Sequence, residues 1–137
     1  MTRVNVGIPP SELCDQMLLA EARELPRCLR YRSDHPDAPS MFVLGTGHVL
    51  WCAQYQASLI QRISALTSES AHRGFHLTVY PALMGTGRRW SDTDEARAVP
   101  LLRERIILRL REMRRVPRWT GREVPAWAEP VVHLAAS

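Results

Sequence analysis

Apolar residues recur at helical spacing in three stretches of the chain and predict three main helices. The first runs from about Glu12 to Arg30. With Leu13 at zero and steps of about 100° per residue, Leu13, Met17, Cys28, Cys14, Leu25, Leu18 and Leu29 fill an arc of roughly 160°. Ser11 is its expected cap, Glu12 and Asp15 make its first turn acidic, and Pro26 should kink or divide it just after Glu24. The second helix follows Gly45-Thr46-Gly47-His48 and ends near Arg73. Its stripe is Leu59, Ile63 and Leu66, continued by Trp51, Tyr55 and Leu44, with Gly74 at C′. The third starts at Pro100, a residue suited to a first turn, and presents Leu102, Ile106, Leu110 and Met113. Between them Tyr31 to Ser40 is proline-rich and aperiodic, Phe75 to Pro81 alternates like a short extended piece, and 82–98 is irregular. The pattern thus gives a single domain over residues 1–137, with three main helices, a short extended piece and irregular connections. A chain of 137 residues is long enough to bury a real core.

Two polar residues break the first helical pattern. Glu21 falls near the middle of the apolar arc and Glu24 close to its first edge, while Arg27, Arg23 and Gln16 follow on the adjoining flank. Carboxylates rarely occupy a buried stripe unless they are paired or used. One reading is an Arg–Glu network tying this helix to a neighbour. The other is a partly buried acid poised beside cations that bind an anionic substrate.

Charge narrows the choice of partner. The formal net charge is +4, the sequence pI is about 9.5, and all 18 basic residues are arginine. That balance suits a polyanion. Six arginines, Arg103, Arg105, Arg109, Arg111, Arg114 and Arg115, spread over the third helix and its end. Arg118-Trp119-Thr120-Gly121-Arg122 then joins basic and aromatic side chains. Stacking plus phosphate contact is what single-stranded or damaged DNA asks for; a solvated helix face with tryptophans clamping the tail is the other reading. Gly45-x-Gly47 before a helix suits either phosphate cradling or close packing. Cys14, Cys28 and Cys52 have no metal or redox spacing, and no apolar run reaches the roughly 18 residues a membrane span needs. A reducing, intracellular setting is expected, with no cofactor and no metal. Because lysine is absent, any Schiff base must form through the α-amino group, whose reference pKa near 8 leaves it partly neutral at physiological pH.

Several motifs carry a resemblance. The opening Thr2-Arg3-Val4-Asn5, then Ser11-Glu12-Leu13, Asp15-Gln16, Ala20-Glu21 and Arg23-Glu24-Leu25-Pro26-Arg27, resembles the pyrimidine-dimer DNA glycosylases, as does Phe42-Val43-Leu44-Gly45-Thr46-Gly47-His48-Val49. Arg73-Gly74-Phe75, Pro100 with its helix, and Pro117-Arg118-Trp119 are similar in register. The likeness is dense over 1–31 and 41–49, and thin over 32–40, over 76–98 and beyond Trp119.

That family is compact and all-α, built from three main helices with long irregular connections, and the resemblance implies the same fold here. The resemblance implies that Met1 is removed and that the Thr2 α-amine attacks C1′ of the damaged nucleotide, displacing the base and leaving an imine; β-elimination then nicks the strand. It implies Glu24 as the catalytic acid, Arg3, Arg23 and Arg27 as phosphate contacts, and a nucleotide flipped from the opposite strand. Asn5, Gly47, His48, Arg73, Arg114, Arg118 and Trp119 complete the expected DNA-contacting set. The partner would be lesion-containing double-stranded DNA, bound by a monomer in phage or bacterial cytoplasm at the nucleoid. The chain departs from the family at a one-residue insertion before Ser11, at the Pro9-Pro10 pair, at Met17 where the family has a histidine, and at Thr120 to Trp127 in place of a tyrosine-rich segment. Two other functions remain open: the same chemistry on an alkylated or bulky base, and a non-catalytic arginine-rich DNA-binding protein.

Overall fold

The computed structural model describes residues 5–30, 55–77 and 89–136. Four α-helices carry these segments: α1 (Asp15–Glu24), α2 (Gln56–His72), α3 (Asp92–Glu112) and α4 (Glu129–Ala136). Two short 3-10 pieces, Pro10–Glu12 and Leu25–Arg30, flank α1. No strand occurs among the described residues, and the fold is all-α. Phe75 to Leu77 is irregular rather than extended in a sheet, and the remainder of that expected piece lies outside the described residues.

The first predicted helix is divided where Pro26 required it. The α-helical ladder stops at Glu24, and the chain continues through Pro26 with 3-10 geometry. Its start differs from expectation. Ser11 caps nothing; it lies inside the 3-10 turn, and Leu13 (φ −80, ψ 140) breaks the run before Cys14 becomes the N-cap. Side chains from elsewhere take this turn's carbonyls: Trp119 Nε1 donates to Glu12 O, and Arg73 Nη2 donates to the oxygens of Pro10 and Ser11. Those bonds replace the ladder that a continuous helix would have formed.

The second helix begins at Gln56 with Tyr55 as its N-cap. The glycine pair before it lies outside the described residues. Its end matches the sequence reading: Gly74 (φ +88) sits at C′, Phe75 N–H reaches Ser70 O at 2.9 Å and Gly74 N–H reaches Ala71 O at 3.0 Å. The third helix corrects the sequence reading. It starts eight residues before Pro100, where the Ser91 side chain accepts from Asp94 N–H and Asp92, Asp94 and Glu95 form an acidic first turn. Pro100 is therefore an exposed interior residue. Its ring removes one ladder bond on the solvent side, where water can take the released carbonyl.

Leu13, Leu18, Leu25, Leu59 and Leu66 are wholly buried, joined by Ile63, Leu102, Ile106 and Leu110. Each such side chain contributes about 1.5–3 kcal/mol. One apolar cluster takes residues from α1, α2, α3 and α4 and includes Val6, Ile8, Trp90 and Trp119. No described helix is long and apolar enough to cross a membrane.

Candidate active site

The segment just before α1 is a tight turn. Ile8 N–H bonds to Asn5 O at 3.1 Å, and Gly7 holds φ +105, the left-handed value that a type II turn needs at its third position. A Cβ there would meet Leu102 and Trp90 at ordinary van der Waals distance, 3.5 Å, so it is the backbone angle rather than space that calls for glycine. Three helices converge on this turn. From α1, Glu21 accepts Asn5 N–H at 3.0 Å. From α2, Arg62 Nε donates to Glu21 Oε2 at 2.8 Å, while Nη2 donates to Glu21 Oε1 at 3.1 Å and to Asn5 O at 2.9 Å. Arg62 Nη1 donates to Ile8 O. From α3, Arg105 Nη2 reaches Asn5 Oδ1 at 3.2 Å.

Glu21 has no solvent exposure and Arg62 only 8%. Their bidentate pairing, with backbone carbonyls taking the remaining donors, is the arrangement that makes buried charge tolerable. Glu21 is thus the Arg–Glu network foreseen for this stripe. Burial, with Arg109 beside it, lowers the Arg105 pKa from its ordinary value; the charge of Glu21 opposes that shift.

Glu24 lies on the last turn of α1, half-buried, three residues beyond Glu21 and so on a neighbouring position of the helix surface. Arg23 and Arg27 are exposed beside it. Gln16 lies seven residues before Arg23, two helical turns and about 10 Å along the same flank. Its Nε2 donates to Val116 O at 2.9 Å and its Oε1 accepts Arg118 N–H at 3.2 Å. The turn after α3, which carries exposed Arg114 and Arg118, is therefore docked on Gln16 at the N-terminal end of α1.

A second network lies at the opposite end of α1. Arg73 Nη1 donates to Asp15 Oδ1 at 2.9 Å and Nε to Glu69 Oε2 at 3.1 Å. Thr120 donates to Asp15 through both its amide and its hydroxyl, and Arg122 grips Glu69 in a bidentate pair at 2.8 and 3.0 Å. Burial works to raise the Asp15 pKa, but Thr120 and Arg73 outweigh it and hold the carboxyl below its ordinary range. The Arg122 hydrogen bond, opposed by burial and aided by Arg73, lowers Glu69 similarly. Trp127 Nε1 and Arg103 both donate to Glu12 Oε1, and the Arg103 guanidinium lies 5.9 Å from the Trp127 ring centroid.

Three of the expected DNA-contacting residues are drawn into these contacts. Arg73 is 6% exposed, Trp119 8% and Asn5 1%. Arg73 is committed to two carboxylates and two carbonyls. The Trp119 ring is packed in the core rather than offered for stacking. The side-chain oxygen of Asn5 accepts from Arg105. Thr2, Arg3, Gly47 and His48 lie outside the described residues. Arg62 and Arg105 were missed, though Arg62 left a signal: from Leu59 it turns about 300° and falls at the edge of the α2 apolar stripe, beside Leu66.

Residues 1–79 match the family model described as pyrimidine dimer DNA glycosylase. The chain belongs to the pyrimidine dimer DNA glycosylase family. The matched span holds Asn5, Glu21, Glu24, the two exposed arginines of the α1 flank, and Arg62. Helix α3, the Val116–Arg118 turn and α4 lie beyond it. In this member of the glycosylase family, then, the buried turn and its acids belong to the matched part, whereas the turn bearing Arg114 and Arg118 comes from the rest.

Proposed function

We propose that the chain is a DNA repair glycosylase with abasic-site lyase activity, acting on ultraviolet pyrimidine dimers through its N-terminal amine. With Met1 removed, the Thr2 nitrogen attacks C1′ as the glycosidic bond breaks. The base leaves with a proton, and the sugar opens to an imine after the amine loses its own protons. Removal of the 2′ proton then expels the 3′ phosphate by β-elimination. Glu24 stabilises positive charge developing at the sugar and takes the 2′ proton. Arg3, Arg23, Arg27, Arg114 and Arg118 hold phosphates around the lesion, and Gly47 and His48 also contact the DNA. The protein acts as a monomeric single domain on double-stranded DNA, and extrusion of a nucleotide is easiest where damage has already weakened stacking.

One observation carries this reading: Asn5, three residues from Thr2, is hydrogen-bonded to Glu21, three residues from Glu24. Three residues of chain span at most about 10 Å, and three residues of helix rise about 4.5 Å, so amine and acid are tethered to a common point. Lysine is absent from the chain, so no side-chain amine competes for the imine.

Borohydride should trap a covalent adduct with abasic or dimer-containing duplex, mapping to the N-terminal peptide. Glu24→Gln should lower incision by about 100-fold or more. A correctly processed N-terminus that yields no adduct sinks the proposal. Parallel incision of dimer-containing, alkylated and uracil-containing duplexes decides the lesion. A higher rate on an alkylated base would move the substrate and leave the mechanism in place. Salt-sensitive binding without cleavage would instead leave a non-catalytic DNA-binding protein.

A further inference from the structure

Arg62 spends its guanidinium on the backbone of the segment that leads to the N-terminus, and this is the starting observation. Its four hydrogen bonds go to Glu21 twice, to Asn5 O and to Ile8 O. Glu21 in turn accepts Asn5 N–H. The Asn5–Ile8 turn is thereby gripped at three backbone positions by two side chains, one from α1 and one from α2. Apolar residues of similar volume would commonly make an equally stable core without the cost of desolvating two charges. What they could not do is hold backbone groups at fixed points.

We propose that Arg62, acting through Glu21 and the Asn5–Ile8 turn, is a positioning residue that sets where the terminal amine stands relative to Glu24. The inference rests on the N-terminal amine being the nucleophile. The tether from the gripped Asn5 nitrogen to the Thr2 nitrogen is three residues, about 10 Å at full extension. A slip of one residue would displace the amine by up to about 3.3 Å, and a misplacement of about 1 Å already suffices to cost on the order of 100-fold in rate. A turn whose Asn5, Val6 and Ile8 are buried and whose backbone is hydrogen-bonded from two helices makes a firm post for such a tether.

Two changes test this in the full-length, correctly processed protein. Arg62→Lys keeps the positive charge and loses the planar fork, so it cannot hold Glu21, Asn5 and Ile8 together. Insertion of one glycine between Val4 and Asn5 leaves the whole network in place and lengthens only the tether. Single-turnover imine formation on abasic duplex, read by borohydride trapping, is compared with affinity for a duplex carrying a reduced, uncleavable abasic site. Both changes should slow trapping by on the order of 100-fold while affinity stays within about threefold. The rate loss should persist across the pH profile, because geometry rather than amine basicity is altered. Should Arg62→Lys fail to fold, the glycine insertion alone carries the test. If the wild-type protein traps and the insertion variant traps equally fast, Arg62 and Glu21 do not position the amine, and the nucleophile assignment stands. If affinity falls as far as trapping, the network serves stability and binding alone. No adduct from wild-type protein would remove the nucleophile assignment itself, and this inference with it.

Discussion

Asp15 and Glu21 are both buried carboxylates on one short helix, and around each of them hydrogen-bond donors replace the water that burial removed. Asp15, like Glu69 on α2, has its folded-state pKa held below the ordinary carboxylate range by its donors. For a depressed carboxylate the stabilisation is complete above its unfolded pKa, about 3.9 for Asp and 4.3 for Glu, and disappears as pH falls through the folded value. The melting temperature should therefore hold steady down to about pH 5 and drop steeply below about pH 4. Asp15→Asn should lower stability at neutral pH yet give a shallower acid limb in thermal melts from pH 7 to 3; an equally steep limb would remove Asp15 from the cause. That Glu21 needs a partner could be seen from its place on the apolar arc. That the partner is Arg62, 41 residues away, could not, since periodicity within one helix says nothing about what faces it. Arg73 and Trp119 misled for a related reason: a guanidinium or an indole has the same identity in the sequence whether it grips phosphate or carboxylate, stacks on a base or fills a core.

Helix α3 shows where element boundaries come from. Pro100 is a favourable first-turn residue, so the apolar stripe beginning at Leu102 drew the predicted start there. The acidic run of Asp92, Asp94 and Glu95 after Ser91 outweighs it, because the cap and dipole interactions gather at a terminus whereas an interior proline exposed to water loses a single ladder bond. Ser91→Ala should cost about 1 kcal/mol by urea denaturation, and Pro100→Ala should not destabilise, since alanine restores the missing donor. A loss at Pro100→Ala matching that at Ser91 would restore Pro100 as the effective start. The apolar stripes of α2 and α3 were legible, as was the break after Glu24, because each depends on residues within a turn or two. The 3-10 turn before α1 was not, since Arg73 and Trp119 reach its carbonyls from far along the chain.

At the scale of the whole molecule the arginines divide into two populations. Arg62 and Arg73 are buried in ion pairs, and Arg103 and Arg122 are engaged with Glu12 and Glu69. Arg23, Arg27, Arg114 and Arg118 are exposed, and the Gln16 clasp fixes the turn bearing Arg118 to the same helix that carries Arg23. Net charge alone could not make this division, yet it decides which residues can release counterions from DNA. Each phosphate neutralised contributes about −0.9 to the slope of log affinity against log salt. Replacing Arg114 or Arg118 with alanine should therefore flatten the slope by about 0.9, and replacing both by about 1.8, in fluorescence-anisotropy titrations of duplex between 50 and 200 mM salt. Arg122→Ala removes the same formal charge and supplies the control. Its guanidinium is held on Glu69, so its loss should leave the slope unchanged while lowering the melting temperature. If Arg122→Ala flattens the slope as much as Arg118→Ala does, the protein is responding to overall charge, and the turn bearing Arg118 is not where DNA lies.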